Sequence, residues 1–401
     1  MTQNNAGNLL CMGTHVSRVP MKFIFGKPTD DPFDRENEVS SLMEMIRRRQ
    51  PTAVVGVRRI GKTSVILRSL KEIDIPKVYI SLEDFVEGKS FDLASFLSFY
   101  SSAILTELVK SLDPSVKLPE IMKVKGRQLI ERLREILGYV KIRFNFPPSE
   151  IEVFLDEKRG RRESLPAILD LPQVLGERFG MNFVVFLDEF QFLRLASQNY
   201  PGIFHLMRSK WQFHNRVTYV VSGSSVGILE RIFGSREEPF YQFFYPLYIR
   251  PFTREISVRF LEQGYQEEGK DFEESALSFA VDQLDGIPAW LNYFGLKTLS
   301  CGKVDFECAR SKLGEMVEDP LIRNIVAEEY AKLGRNARKI LRFLAERGGR
   351  STLRGIELNR SGVNEGIKSL LGEGYVRREE RGIYQVVDPI IAKILPKLTL
   401  T

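Results

Sequence analysis

Three short stretches of the 401-residue chain place reactive side chains at spacings that could do chemistry. The first is Gly56-Val57-Arg58-Arg59-Ile60-Gly61-Lys62-Thr63, followed by Ser64, which fits G-x4-G-K-[ST]. Glycines at that spacing let backbone N–H groups converge on phosphate oxygens, and a helix opening there adds partial positive charge. Lys62 is expected to reach the β- and γ-phosphates of a nucleotide and the Thr63 hydroxyl to bind Mg2+. Arg58 and Arg59 either add charge beside the nucleotide or are simply solvated. The second stretch is Phe186-Leu187-Asp188-Glu189, apolar positions running into two carboxylates. About 125 residues after a phosphate loop, Asp188 is expected to order the metal and Glu189 to polarise an attacking water. The third is Ser222-Gly223-Ser224-Ser225. Ser222 there is a candidate sensor of the γ-phosphate; the alternative is that these serines cap a helix over Val226–Phe233.

Those side chains need a scaffold, and the surrounding pattern supplies one. Val39, Leu42, Met43 and Ile46 recur at helical spacing, and the β-branched run Thr52–Val57 after them reads as a strand buried on both faces. After a helix over Ser64–Glu72, strands are expected at Lys77–Leu82, Asn182–Leu187 and Val217–Ser222. Strands alternating with helices imply crossover units and a mostly parallel sheet, so the class is α/β with a P-loop NTPase core. An insertion over about 86–180 carries helical stretches at Leu93–Lys110 and Gln128–Leu137 and a hairpin around Val140–Phe154, turned by Pro147-Pro148. It shows no chemistry. From Pro251 to about Tyr330 the pattern is helical. The last seventy residues read as helix (Asn336–Arg347), short helix, helix (Gly362–Leu371) and a pair of strands, a winged helix-turn-helix. The expected division is therefore an extension over 1–20, a core over 21–250, a helical region over 251–330 and a winged helix over 331–401.

Composition bounds what such a chain can be. It is 43% hydrophobic and 27% charged, which excludes a disordered tail, a collagen and a miniprotein. Cys11, Cys301 and Cys308 form no CxxC pair, and His15, His205 and His214 lie near no ligand cluster, so neither a zinc site nor a disulfide framework is expected. No apolar run reaches the roughly 18–20 residues of a bilayer span, and the first twenty residues lack the pattern of a signal peptide. The expected location is a reducing cytoplasm, and Met21 is a second candidate start. The net charge of +6 is uneven: residues 331–401 hold 15 Lys+Arg against 7 Asp+Glu, while the rest of the chain is slightly acidic. A basic end of that kind suits a polyanion, or is a solvated face.

With these residues in order, the chain resembles the archaeal-type ATPases of the STAND class among the AAA+ relatives. The resemblance spans about residues 22–400 and rests on Phe33-Asp34-Arg35-Glu36, Gly56–Thr63, Leu187-Asp188-Glu189, Ser222–Ser225, Pro251-Phe252-Thr253-Arg254-Glu255, Gly286-Ile287-Pro288 and Asp388-Pro389. It implies that Phe33 and Arg35 close over adenine and ribose, and that Pro288 in a helical lid touches the nucleotide. The bland reading of Gly286-Ile287-Pro288 is a helix break. One departure stands out: where many relatives carry a Gly-Arg pair, this chain reads Pro239-Phe-Tyr-Gln-Phe-Phe244. Arg231, Arg236 and Arg250 are nearby replacements, none fixed by a motif.

The resemblance implies a slow ATPase that binds ATP or ADP with Mg2+ and acts as a switch on a partner, by self-assembly or through its C-terminal module. The competing expectation is a DNA-binding regulator or initiator-like ATPase. In that reading Arg377, Arg378 and Arg381 sit on the phosphates of duplex DNA, and only Asn364 and Lys368, with Glu365 between them, face base edges. A third reading keeps ADP as a structural ligand of an interaction scaffold. Phosphoryl transfer to a second substrate lacks an acceptor site.

Overall fold

The computed structural model describes residues 22–112, 140–145, 150–155 and 161–398. The expected extension over 1–20, the alternative start at Met21, the helical stretch Gln128–Leu137 and the turn at Pro147-Pro148 lie outside them.

Nine strands lie among the described residues up to 250: β1 (Thr52–Val55), β2 (Lys77–Ser81), β3 (Val86–Glu87), β4 (Ser90–Phe91), β5 (Val140–Asn145), β6 (Glu150–Leu155), β7 (Phe183–Asp188), β8 (Val217–Gly223) and β9 (Tyr245–Tyr248). Five of them form a wholly parallel sheet in the order β2-β7-β8-β1-β9. The central strands are apolar at nearly every position because both faces are covered. Val54, Val184, Phe186 and Val220 meet the helices Glu36–Arg47 and Lys62–Lys71 on one face, while Ala53, Val55, Val185, Leu187 and Val221 enter a larger core on the other. That larger core takes in Leu97, Ile104 and Leu108 of the helix Leu93–Leu112 and Leu169 and Leu175 of the helix Arg161–Phe179. The described helices of the 86–180 insertion thus cover that face of the sheet. Its strands β5 and β6 pair antiparallel, as a hairpin requires.

Thr253 opens the helical half: its hydroxyl accepts from Ile256 N at 3.2 Å and caps the helix Arg254–Glu267. Helices Glu274–Leu284, Pro288–Thr298, Phe306–Glu318 and Pro320–Lys332 follow. After the helix Arg335–Glu346 come β10 (Arg350–Thr352), the helix Arg360–Glu373, β11 (Val376–Glu380), β12 (Ile383–Val386) and the helix Pro389–Ile394. Two expectations change here. Residues 353–359 form turns in place of a short helix, and a third strand joins the pair in the order β10-β12-β11. The cause is local: Gly348 and Gly349 take the left-handed region (φ +76° and +84°) and turn the chain straight back into β10. The helices after 253 and this module share one continuous core, from Phe260 and Trp290 to Leu341 and Ile394.

The cysteine expectation is also corrected, because Cys301 and Cys308 form a disulfide. The loop after the helix Pro288–Thr298 turns back at a bridge between Phe272 and Val304, which brings Cys301 beside the first turn of the next helix. Spacing alone carries no sign of that turn.

Candidate nucleotide and water-activating site

β8 lies between β1 and β7, with Val54 in register with Ser222 and Leu187 with Val221. The three chemical stretches therefore leave neighbouring strands at their C-terminal ends, where a parallel sheet offers its crevice. Gly61 takes φ +92°, and its left-handed turn starts the helix Lys62–Lys71, so the loop Gly56–Thr63 wraps the helix N-terminus. Gly56 is required for a different reason: a Cβ there would meet the Ile249 carbonyl at 2.7 Å. Ile60 is buried and anchors the loop to the core, while Ser64 accepts a hydrogen bond from Thr29 N at 3.1 Å.

Lys62 is buried, and its amine donates to the Val57 carbonyl at 3.0 Å. That bond leaves two of its three N–H donors for phosphate oxygens. Burial lowers the Lys62 pKa, opposed by the nearby charges of Glu189 and Asp188. An anion entering the loop would therefore relieve a desolvated cation.

Asp188 is buried at the end of β7 and held from three sides. Its Oδ2 accepts from the Tyr79 hydroxyl at 2.7 Å, and its Oδ1 accepts from Glu189 N at 2.9 Å and from the Ser222 hydroxyl. Tyr79 reaches it from β2, stacked on Phe186 at 5.2 Å; burial and then the Asp188 charge push its phenol pKa up. Glu189 is in the left-handed region at φ +53°, an uncommon place for glutamate. Its Oε2 accepts from Ser224 N at 3.1 Å, from the Ser224 hydroxyl at 2.8 Å and from the Gln191 amide. Ser222 thus serves Asp188 in this state. The capping alternative is not what the serines do: Ser225 is the N-cap residue of the helix Val226–Gly234 and makes no side-chain cap bond.

A cavity of about 820 Å³ opens beside the loop, lined by Phe33, Arg35, Arg59 through Ser64, Phe252 and Pro288. That is the size of a nucleotide site. Arg35 reaches its wall, but its guanidinium is committed to Glu38 (2.8 Å), the carbonyls of Ile60 (3.4 Å) and Arg250 (2.8 Å) and the face of Phe252. Gly286 at φ +67° lies against Phe252, where a Cβ would stand 2.1 Å from its carbonyl oxygen, and this contact aims Pro288 at the cavity. No group of three or more His, Cys, Asp or Glu side chains among the described residues could hold a metal. The donor set fits Mg2+ all the same, because that ion usually takes one or two protein oxygens, such as Thr63 and Asp188, and completes its shell with phosphates and water.

Arg58 lies outside the cavity lining, and Arg59, at its wall, is committed to partners from the helical half. Arg58 donates to the Tyr375 hydroxyl at 2.6 Å and lies over that ring. Arg59 donates to Asp388 at 2.9 Å and Glu329 at 2.6 Å and lies over Trp290, whose indole N–H also donates to Asp388 at 2.9 Å. Of the three candidate replacement arginines, Arg231, Arg236 and Arg250 are all exposed and none makes a hydrogen bond or ion pair through its side chain among the described residues. The stretch that departs from the family pattern buries Phe240 and Phe244 in the core instead.

Residues 33–294 match the family of ATPase domains found predominantly in Archaea. The chain belongs to this family. It is an ATP-hydrolysing enzyme with an α/β, mostly parallel P-loop fold, and nucleotide is its ligand. A solved Walker-type ATPase of Pyrococcus abyssi is 24% identical, aligned over 92% of this chain and 98% of that one with a TM-score of 0.64. The ORC2 protein of Aeropyrum pernix, solved as ADPNP–ADP complexes, is 13% identical over 94% and 96% with a TM-score of 0.53. No curated protein matches. No helix among the described residues is long and apolar enough to cross a membrane.

Sequence reasoning about this ATPase missed Tyr79, Gln191, Ser224, Glu329 and Tyr375. Gln191 acts on Glu189 from two residues on, and each of the others acts on a motif residue from another element. Ser224 alone carried a signal, its place two residues beyond Ser222.

Proposed function

We propose that this ATPase is a STAND-like switch in which the state of the nucleotide at Gly56–Thr63 sets the position of a C-terminal winged-helix module. In this reading the core over 21–250 hydrolyses Mg-ATP with water activated by Glu189, Asp188 and Thr63 hold Mg2+, and residues 251–330 form the lid. One observation carries the coupling: Arg58 and Arg59, inside the phosphate loop, hold Tyr375 and Asp388, more than 300 residues away. Nucleotide entering the loop must act on the segment whose other end is those two ion-paired arginines. Ligands shift such equilibria only by binding the two states differently, and a loop shared between phosphate and module supplies that difference. Turnover is expected to be slow in the isolated chain, since Arg231, Arg236 and Arg250 lie outside the cavity lining and a partner or second copy would have to supply a finger. A cytoplasmic location fits this reading, although the Cys301–Cys308 bond departs from the reducing compartment expected from the sequence.

The test is paired. Lys62→Ala is expected to lose nucleotide binding, and Arg59→Ala to keep it while freeing the module, read as faster hydrogen exchange across 335–398 in the apo protein. Arg59→Ala with unaltered exchange would remove the coupling. Tight ADP with no turnover would favour the scaffold reading.

A second reading uses the module on duplex DNA. Arg377, Arg378 and Arg381 are exposed at the β11–β12 turn, and Asn364 and Lys368 border a crevice of about 730 Å³ between the module and the core. The helix bearing them is backed against the helix Val226–Gly234, so base contact would require the module to undock. Duplex binding that weakens steeply with salt and strengthens on Arg59→Ala would support it.

A further inference from the structure

The loop that holds Glu189 is also the loop on which the C-terminal module rests. Oε2 of Glu189 takes three donors, two of them from Ser224, while its Oε1 has no hydrogen bond among the described residues. One anchored oxygen leaves the other oriented, at the C-terminal end of β7, where the phosphate loop also leaves the parallel sheet two strands away. Ser224 is buried. Its outer side is covered by the end of the helix Arg360–Glu373. A Cβ on Gly374, the C-cap at φ +77°, would lie 3.2 Å from the Ser224 carbonyl. A Cβ on Gly227, three residues on, would lie 2.6 Å from the Leu371 carbonyl and 2.9 Å from Gly372 Cα. Backbone meets backbone at both points, with no side chain between them to absorb a displacement. The next residue, Tyr375, is the one that Arg58 holds.

We infer that Ser224 is a positioning residue for Glu189, and that the docked helix end Leu371–Gly374 keeps it in place, so that hydrolysis depends on the seating of the C-terminal module. Ser224 acts in this proposal by fixing the Glu189 carboxylate through its N–H and hydroxyl. A carboxylate freed from these donors loses its aim at the cost of a charge-assisted hydrogen bond, an interaction whose loss corresponds to about tenfold or more in rate. This rests on the assignment of Glu189 as the water-activating group.

The experiment is a double-mutant cycle on the full chain, with kcat, KM and equilibrium affinity for a fluorescent ADP measured in each variant. Ser224→Ala is expected to lower kcat about tenfold with ADP affinity unchanged, and Ser224→Thr, which keeps the hydroxyl, to restore most of it. Gly227→Ala forces the helix end away and is expected to lower kcat comparably and to speed hydrogen exchange over residues 222–229. The two changes together should cost little more than either alone. If Gly227→Ala does not fold, Tyr375→Phe, which releases the Arg58 contact, takes its place. Unchanged kcat in Ser224→Ala would overturn the positioning role, and effects that multiply in the double variant would overturn the link to the module. Glu189→Gln separates the two readings: if it hydrolyses ATP normally while Ser224→Ala does not, the base assignment is what fails.

Discussion

A buried lysine amine with one carbonyl for company is a poor resting place for charge, and Lys62 has that environment. Lys62→Ala removes the cation that phosphate would pair with, and the variant is expected to lose at least about tenfold in ADP affinity by equilibrium binding while folding normally. Glu189→Gln keeps shape but not basicity; it should bind ATP as the parent does and lose about 100-fold or more in turnover. Tyr79 makes a finer point. Its hydroxyl and that of Ser222 hold the two oxygens of Asp188. Tyr79→Phe keeps the stacking on Phe186 but frees one oxygen, and it should raise the Mg2+ concentration for half-maximal nucleotide-dependent fluorescence about tenfold. A Mg2+ titration that superimposes on that of the parent would show that Tyr79 only packs.

At the scale of elements, capping and close approach decide which parts can move. Asp388 does three things at once: it caps the helix Pro389–Ile394 through Ile390 N and Ile391 N, accepts from Trp290 and pairs with Arg59. Burial raises its pKa, against the pull of Arg59. A carboxyl with a raised folded pKa contributes most below its unfolded pKa, and that contribution is lost as pH rises through the folded value. The melting temperature of the parent should therefore fall relative to Asp388→Asn as pH rises above about 4, as calorimetry would read. Gly286→Ala has no such subtlety. The new methyl would collide with the Phe252 carbonyl at a left-handed position, and a loss of at least about 2 kcal/mol by denaturant unfolding is expected.

Elements also mark where reading the sequence succeeded. The phosphate loop, the strand ending in Asp188-Glu189 and the neighbouring β8 are legible because each depends on a short local pattern: glycines at a turn, or an apolar run with polar punctuation. Ser222 and Asp188 fall at strand ends for the same reason, whereas Pro288 stands out only through the family resemblance. What local pattern cannot show is which distant backbone an arginine will meet. Arg58 and Arg59 read as loop charge, yet their partners come from residues 290, 329, 375 and 388. The Cys301–Cys308 pairing and the strand β10 were missed because both depend on turns set by long-range packing or by tandem glycines.

For the whole molecule, the helical half and the C-terminal module share one core, which also takes in Phe23, Phe25 and Phe33 of the N-terminal segment, and separate contacts join it to the nucleotide sheet. Among them Arg58 and Arg59 reach Tyr375, Glu329 and Asp388, Arg259 pairs with Asp34, and Gly227 and Gly374 pack backbone on backbone. A body joined in that way moves as a unit when those points give. The claim that nucleotide sets the position of the module is best tested by hydrogen exchange on Glu189→Gln, compared in the apo, ADP and Mg-ATP states. The account predicts that Mg-ATP changes protection over 222–229 and 371–377 together, with the interior of the β2-β7-β8-β1-β9 sheet unaffected. Mg-ATP binding that protects the phosphate loop and leaves 371–377 as it is in the apo protein would contradict it.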